Sequence, residues 1–163
     1  MNPKTDPSSL ANKPTLTESP GDAADALRRG ELVALPTETG YGLAGVVTDD
    51  AAFEALQNFK GHDPQQPAAF SLHVGSAEAA LAVVPEGAKA ARRLIRKAMP
   101  GPLTLLLKVD EALREQIAER SGWSQAVRDR LIPRGVLGLR CPDHPATQSV
   151  LSGVDQPVVA SSA

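Results

Sequence analysis

The sequence predicts an α/β fold in which helices flank a mixed, partly parallel sheet. Short apolar runs alternate with helical stretches from residue 22 onwards, a pattern typical of sheets with parallel pairs. Capping residues, glycines and prolines mark the ends of most of these segments. The 163 residues, of which 42% are hydrophobic and 22% charged, have the size and composition of one globular domain.

The elements of the first half are predicted from helix caps and apolar spacing. Asp22 and Ser76 can each cap a helix N-terminus, as can Asp49 or Asp50. Gly30 follows the first helix at the position where glycine usually ends one. Short apolar runs between turn residues indicate strands. The predicted order is helix 23–29, strand 31–35, helix 51–60, strand 70–74 and helix 77–83.

The second half continues the alternation. The nearly continuous apolar run at 103–109 favours a strand buried on both faces, and residues 158–160 are typical of a buried central strand. The predicted order is helix 86–98, strand 103–109, helix 111–120, strand 136–140, helix 146–151 and strand 158–161. Five cations cover much of helix 86–98, and its apolar face is predicted to consist of Ala91, Leu94, Ile95 and Ala98.

Composition excludes several classes of protein. The net charge of −2 provides no overall attraction to nucleic acid or anionic lipid. No apolar run is long enough to cross a membrane, and the N-terminus lacks the apolar core of a secretory signal, so we expect a cytoplasmic protein without a membrane partner. The single cysteine, Cys141, excludes an internal disulfide and a cysteine-cluster metal site.

Residues 1–20 are predicted to form a disordered tail, because they are rich in Pro, Ser, Thr, Asn and Lys and show almost no apolar periodicity. A targeting peptide is the alternative. Asp6, Glu18 and the lack of arginine argue against a mitochondrial one. The folded domain would then span residues 21–163.

The segment 36–43 is the first candidate for chemistry. It holds two threonines, a glutamate, a tyrosine and two glycines directly after an apolar strand, and ligands of open α/β sheets bind beyond the carboxyl ends of strands. Gly40 and Gly42 would allow close backbone approach. A tight, internally hydrogen-bonded turn explains the same residues equally well.

Two cations follow predicted secondary structure. Lys60 ends a helix, where it could pair with phosphate or simply complement the helix dipole. Arg140 ends a strand among apolar neighbours, which indicates either a buried guanidinium that needs an acidic partner or anionic ligand, or a surface arginine. Cys141 comes next, and Arg140 could lower its pKa.

Other polar residues carry weaker signals. Thr104 begins a strand after the rigid turn 100–102, which is mostly architectural. His144 could be a base, a metal ligand or a turn residue, and together with His62 and His73 it lacks metal-site spacing. No nucleophile elbow, Walker A or G-x-G-x-x-G string is present, so any nucleotide site would be of a non-standard kind.

Taken in order, these segments resemble the YrdC family of threonylcarbamoyl-AMP synthases, over residues 22–163. The most specific strings are Pro-Thr-Glu-Thr-x-Tyr-Gly-Leu at 36–43 and Pro-Gly-Pro-Leu-Thr at 100–104. Lys-Gly at 60–61, His-Val at 73–74, Arg-x-Pro-x-His-Pro at 140–145 and Pro-x-x-Ala-x-Ser-Ala at 157–163 accompany them in order. The resemblance implies a single YrdC-like domain with a twisted, mixed sheet.

The resemblance also implies an activity, in which L-threonine, bicarbonate and ATP, with Mg²⁺ on the ATP phosphates, give threonylcarbamoyl-AMP and pyrophosphate. The product serves threonylcarbamoyladenosine formation in tRNA, so tRNA-modification proteins are implied partners. Thr37 and Arg140 would hold threonine, and Lys60 and Ser162 the nucleotide. No catalytic side chain or protein metal ligand is implied, and the further candidate site residues are Thr39, Tyr41, His62, His73, Thr104 and His144.

The sequence departs from the family pattern at several positions. His62 stands where the family usually has arginine, which should weaken phosphate binding because histidine is mostly neutral and has no bidentate fork. Val136 stands where many members have threonine, and Ser161 replaces a proline. The asparagine that follows the last motif in the family is not reached at Ala163, so we expect the C-terminal part of the domain to be missing.

Two other functions compete with the synthase. A YrdC-like module could bind tRNA or double-stranded RNA without making the adenylate, through the cations of helix 86–98, although a solvated basic face explains the same charges. A paralogue with an altered substrate would explain His62 and Val136.

Overall fold

A computed structural model describes residues 15–61 and 70–162, and these residues form one mixed six-stranded sheet with helices on both faces. The strand order is β1-β2-β6-β3-β5-β4. The strands are β1 Val33–Thr37, β2 Gly40–Val46, β3 Ser71–His73, β4 Thr104–Lys108, β5 Val136–Arg140 and β6 Val158–Ser162. Within the described ranges β3 and β5 form the one parallel pair, which confirms the predicted mixed α/β sheet.

Seven α-helices connect and cover the strands in the described part of the chain. Most begin at a side-chain cap, including Asp49 and Ser76 as predicted, because a Ser or Asp oxygen satisfies an otherwise free N–H of the first turn. The helices are α1 Pro20–Arg28, α2 Asp50–Phe59, α3 Ala77–Val83, α4 Lys89–Ala98, α5 Glu111–Ser121, α6 Gln125–Leu131 and α7 Pro145–Ser152.

The sheet buries two separate apolar layers. On one face, Leu72, Leu137 and Val159 belong to the larger core under the helices between β2 and β5. On the other face, α1 and α7 cover only the half of the sheet formed by β1, β2 and β6, where Leu35 and Val158 are buried. The face of β3, β5 and β4 beside α1 and α7 therefore remains accessible to a ligand.

Two predictions about strands were wrong. The apolar run 103–109 does not form a doubly buried strand: among the described strands β4 pairs only with β5, at the edge of the sheet, and its residues alternate between exposed and half-buried. Leu106 is 69% exposed because it shares with Thr104 the sheet face that α1 and α7 leave uncovered. The segment 40–46 was not predicted as a strand, because its three glycines weaken the strand signal, yet it forms β2.

Three helix predictions also need correction. Ser19, not Asp22, caps α1, and Pro20 lies in its first turn, so this helix begins inside the predicted tail. The rest of that tail lies mostly outside the described residues. Leu94 is 46% exposed, so the buried stripe of α4 is Ala91 and Ile95. Helix α6 was not predicted at all.

The basic face of α4 is partly structural. The guanidinium of Arg92 donates to the carbonyl oxygens of Leu81 and Val84, at the end of α3. The remaining cations of this helix, Lys89, Arg93, Arg96 and Lys97, are exposed.

Replacing one leucine in each of the paired strands β4 and β5 tests the exposure of one face of β4. We expect Leu137→Ala to lower the free energy of unfolding by about 2–5 kcal/mol, because Leu137 is fully buried. Leu106→Ala should change it by less than about 0.5 kcal/mol, since that side chain is mostly in solvent. Urea denaturation monitored by circular dichroism measures both, and equal losses would contradict the exposure of this face.

Candidate active site

The segment 36–43 forms a β-hairpin whose tip is Glu38 and Thr39. Thr37 pairs with Gly40 across the two-residue turn, and Gly40 has a φ of +140°, which glycine adopts most readily. The tip is internally hydrogen-bonded, as one of the two interpretations of this segment required. Four residues of the segment also line a cavity, so a binding role stays open: Thr37, Thr39, Tyr41 and Gly42.

The hydroxyl groups at the tip form a directed chain. Arg140 Nη2 donates to Thr39 Oγ1 at 3.0 Å, and Thr37 Oγ1 donates to the carbonyl oxygen of Gly40 at 3.1 Å. The contact of 3.1 Å between the two threonine hydroxyls must then have Thr39 as its donor, because Thr37 has only one proton. Thr37 Oγ1 also accepts from the Thr39 N–H, so its hydrogen-bonding capacity is used within the hairpin.

A polar cavity of about 150 Å³ opens on the sheet face beside this hairpin. It is smaller than the roughly 300–1,000 Å³ of pockets that enclose drug-sized ligands, so it suits a small polar molecule. Seven predicted site residues line it: Thr37, Thr39, Tyr41, His73, Thr104, Arg140 and Ser162. Four that were not predicted complete it: Gly42, Ser71, Ala160 and Ser161.

Strand register brings these distant residues together. Arg140 lies directly opposite Thr104 in the antiparallel pair β4–β5, and beside His73 in the parallel pair β3–β5. Gly42 lies opposite Ser162 in the pair β2–β6. Residues opposite one another point to the same face of a sheet, so three separate pairings supply one cavity wall.

An ion pair joins the hairpin to the end of β5. Arg140 Nη2 lies 2.8 Å from Glu38 Oε1, and both side chains are less than a fifth exposed, at 16% and 19%. Glu38 Oε2 accepts the backbone N–H of Asp143 at 3.0 Å. Burial alone would raise the pKa of Glu38, but backbone N–H groups and the Arg140 guanidinium together hold it below its usual range. Arg140 is therefore the partly buried guanidinium with an acidic partner that one interpretation required.

The imidazole of His73 is neutral near pH 7. Burial of the ring, helped by the nearby positive charge of Arg140, lowers its pKa to about 4. Its Nδ1 lies 2.9 Å from the carbonyl oxygen of Ser71 and therefore carries the proton as the donor. Nε2 is left as a hydrogen-bond acceptor in a residue that lines the cavity.

Two other predicted site residues, Lys60 and His144, are not in the cavity wall, and a third, His62, lies outside the described residues. Lys60 is exposed at the C-terminal cap of α2. His144 occupies the N-cap position of α7 without a side-chain cap hydrogen bond, and its buried Nδ1 has no partner among the residues described. Val136, invoked for an altered site, is at the opposite end of β5 from Arg140 and does not line the cavity.

The sequence left the reactivity of Cys141 open, because the preceding Arg140 could lower its pKa, and the structure shows the opposite shift. The thiol is fully buried, and burial together with the carboxylates of Glu78, Asp143 and Glu38 raises its pKa to about 11. Because the thiolate is the reactive form, Cys141 is an inert core residue near neutral pH.

The unpredicted wall residues have signals that could have been used. Ser71 lies two residues before His73 on the same strand, and alternation along a strand places both on one face. Glu38 lies inside the most specific string of the sequence, but it was not predicted to be the acidic partner of Arg140. The described residues contain no group of three or more His, Cys, Asp or Glu that could hold a metal ion.

The wall can bind but has no obvious reactive group of its own. Arg140 offers charged N–H donors, Thr39 and the two β6 serines offer hydroxyls, and His73 offers an acceptor. This set suits a small ligand that carries an anionic group and a donor. None of the described helices is both long and apolar enough to cross a bilayer.

Comparisons with known proteins place the chain among relatives of similar sequence and fold. A family model described as "Telomere recombination" and named for Sua5, YciO and YrdC matches residues 25–163. The human threonylcarbamoyl-AMP synthase is 32% identical over 149 residues, which cover 90% of this chain and 47% of the human protein. The Pyrococcus abyssi threonylcarbamoyl-AMP synthase is 30% identical over 143 residues, covering 86% of this chain and 37% of the relative.

Solved structures agree in fold. Pyrococcus abyssi Sua5 in complex with L-threonine superposes with a TM-score of 0.64 at 27% identity, covering 87% of this chain and 37% of that protein. Escherichia coli YciO superposes with a TM-score of 0.60 at 20% identity, covering 87% of this chain and 62% of YciO. The chain spans about half or less of the length of the first curated relatives it matches. On the family match and the shared fold, the chain belongs to the Sua5/YciO/YrdC family.

Proposed function

We propose that this chain carries the threonine-binding wall of a threonylcarbamoyl-AMP synthase, a nucleotidyltransferase of tRNA modification that works in the cytoplasm. One observation supports this most strongly: a small polar cavity beside the Pro-Thr-Glu-Thr hairpin contains the partly buried, carboxylate-paired guanidinium of Arg140. Relatives at about 30% identity are named for this activity, and one family member has been crystallised with L-threonine.

In this proposal Arg140 binds the carboxylate of L-threonine or of its carbamate. A guanidinium that lies partly out of water binds a carboxylate through charge-assisted hydrogen bonds. The neutral His73 can accept a hydrogen bond from a ligand hydroxyl or amine through Nε2. Thr37 contributes the shape of the hairpin more than a free hydroxyl, because that hydroxyl is already engaged.

The nucleotide would lie at the rim of the cavity. Ser162 and the exposed ring of Tyr41 line the open side, and a cavity of about 150 Å³ has no room for ATP itself. Lys60, at the end of α2, would approach the phosphates only from outside this wall. Mg²⁺ would be held by the ATP phosphates, as is usual for this ion.

The chemistry requires positioning more than a reactive side chain. The threonine amine and bicarbonate form a carbamate with loss of one water molecule. A carbamate oxygen then attacks the α-phosphorus of ATP and expels pyrophosphate. Holding the two reactants in line and neutralising their charge supplies much of the rate in phosphoryl and nucleotidyl transfer. Arg140 and the hydroxyls of the wall would orient the carbamate, and the product would pass to tRNA-modification partners.

RNA binding is the second candidate. It is supported by the exposed cations on α4. Arg92 does not add to them, because its guanidinium is hydrogen-bonded to the end of α3. Lys89, Arg93, Arg96 and Lys97 could contact phosphates of tRNA or double-stranded RNA. The argument for an altered substrate is weaker, because Val136 does not line the cavity.

Threonine binding is expected to depend on Arg140. Arg140→Ala should weaken the binding of L-threonine by about 10- to 100-fold, because a hydrogen bond to a charged group contributes roughly 1.5–3 kcal/mol. Isothermal titration calorimetry measures this. Arg93→Ala is the matched control, since it removes an exposed arginine that does not line the cavity. Equal affinity of all three proteins for L-threonine would contradict the assignment.

Enzymatic activity gives the test of the proposed reaction. Incubation of the protein with ATP, bicarbonate and Mg²⁺ should release pyrophosphate only when L-threonine is added, and Arg140→Ala should abolish that dependence. A coupled phosphate assay follows the release. Release without threonine, or none from a protein that binds threonine normally, would count against the reaction.

Protonation of His73 should reduce both stability and binding at low pH. Its folded pKa lies below the unfolded value, so the unfolded chain binds more protons between about pH 6.5 and pH 4. Stability should therefore fall as the pH drops through this window, by at most about 1.4 kcal/mol per pH unit. NMR titration of the His73 ring should have its midpoint near pH 4, and His73→Gln should flatten the stability change. A midpoint near 6.5 would show that the ring is not held neutral.

A further inference from the structure

The acidic partner of Arg140 has a position that the binding role alone does not explain. Glu38 does not line the cavity, and it reaches Arg140 from the hairpin tip behind the wall. Its two oxygens are divided between the guanidinium and the backbone N–H of Asp143, three residues beyond Arg140. The Glu38 carboxylate thus fixes both the side chain of Arg140 and the backbone segment that follows Arg140.

The guanidinium is only partly used by these contacts. Both of its hydrogen bonds, to Glu38 and to Thr39, are made by Nη2. Nε is buried and has no acceptor among the residues described. An unsatisfied buried donor costs free energy, so the arginine keeps binding capacity that an acceptor oxygen would satisfy.

The charges near this donor favour one class of anion. Among the described residues that line the cavity, Arg140 is the single formal cation, and the negative charge of Glu38 lies 2.8 Å from it. A ligand with one negative charge gains from the guanidinium and is repelled once by the carboxylate. A dianion is attracted and repelled about twice as strongly. Its desolvation cost rises with the square of its charge, and the weak net positive field of an arginine that is already paired does not offset that cost.

We propose that Glu38 is a positioning residue that holds Arg140 and makes its subsite selective for a monoanionic carboxylate over a phosphate dianion. This inference rests on the proposed function, in which the subsite must take threonine and leave the ATP phosphates elsewhere. A phosphate bound to Arg140 would block the amino acid, so its exclusion keeps the subsite open for threonine.

The test uses simple anions with the full chain, so that it does not depend on catalysis. Acetate serves as the monoanion, and inorganic phosphate serves as the dianion at a pH where it is mostly doubly charged. Binding is followed by NMR on the Nε–H resonance of Arg140. The wild-type protein should bind acetate at least about tenfold more tightly than phosphate.

Three variants separate the charge of Glu38 from its shape. Glu38→Gln should reduce the preference for acetate about tenfold or more, mainly through stronger phosphate binding, since it removes one full charge near the ligand. Glu38→Asp should keep the preference for acetate but weaken the binding of both anions, because the negative charge stays while the shorter side chain holds Arg140 less well. Glu31→Gln, which removes the exposed pair with Arg29, should change nothing.

Clear outcomes overturn the inference. A wild-type protein that binds phosphate as well as acetate contradicts it, even if Glu38→Gln fails to fold. A folded Glu38→Gln variant with unchanged preference also contradicts it and leaves a structural role only. If acetate binds with the expected preference but L-threonine gives no product with ATP, the proposed reaction fails while the role of Glu38 stands.

Discussion

The whole sheet depends on the central position of β6. This strand pairs with β2 on one side and with β3 on the other, and the hairpin β1–β2 joins the remaining strands of the described sheet only through it. Val158 and Val159 are buried on opposite faces, one in each apolar layer. Without β6 the chain would have two small sheets and no continuous wall between the hairpin and Arg140.

The cavity follows from the same constraint. Thr37 and Thr39 come from one side of β6, Arg140 and His73 come from the other, and Ser161 and Ser162 come from β6 itself. Their hydrogen bonds already exist before any ligand binds, from the guanidinium through Thr39 and Thr37 to the backbone of Gly40. Such prior ordering lowers the entropic cost of fixing a ligand, which suits a site whose work is orientation.

Local signals predicted most of the elements, and the family resemblance named seven of the residues that line the cavity. Caps such as Asp49 and Ser76 are read from a few residues, and strand ends such as Arg140 follow from apolar runs. The burial and pairing of a strand depend on the rest of the chain, and this explains why β4 and β2 were predicted wrongly or missed. The apolar residues of β4 give no indication that its outer edge is unpaired, and the glycines of β2 conceal a strand that its neighbours stabilise.

Side-chain states were the least predictable feature. The resemblance placed Thr37 in the site, but only the hairpin geometry reveals that its hydroxyl is saturated. Arg140 suggested an activated Cys141, whereas burial and three carboxylates have the opposite effect on the thiol. The ion pair with Glu38 joins residues 102 positions apart, so no local pattern could identify it.

Pro36 has a further consequence for the behaviour of the molecule in a crowded solution. It belongs to β1, which pairs with β2 alone among the strands of the described ranges and so forms one outer edge of that sheet. Proline has no N–H to offer a passing strand, and its carbonyl oxygen already accepts the hydroxyl of the buried Thr147. The first residue of the motif that marks the site thus also protects the sheet from edge-to-edge aggregation, so a substitution there would threaten solubility as well as binding.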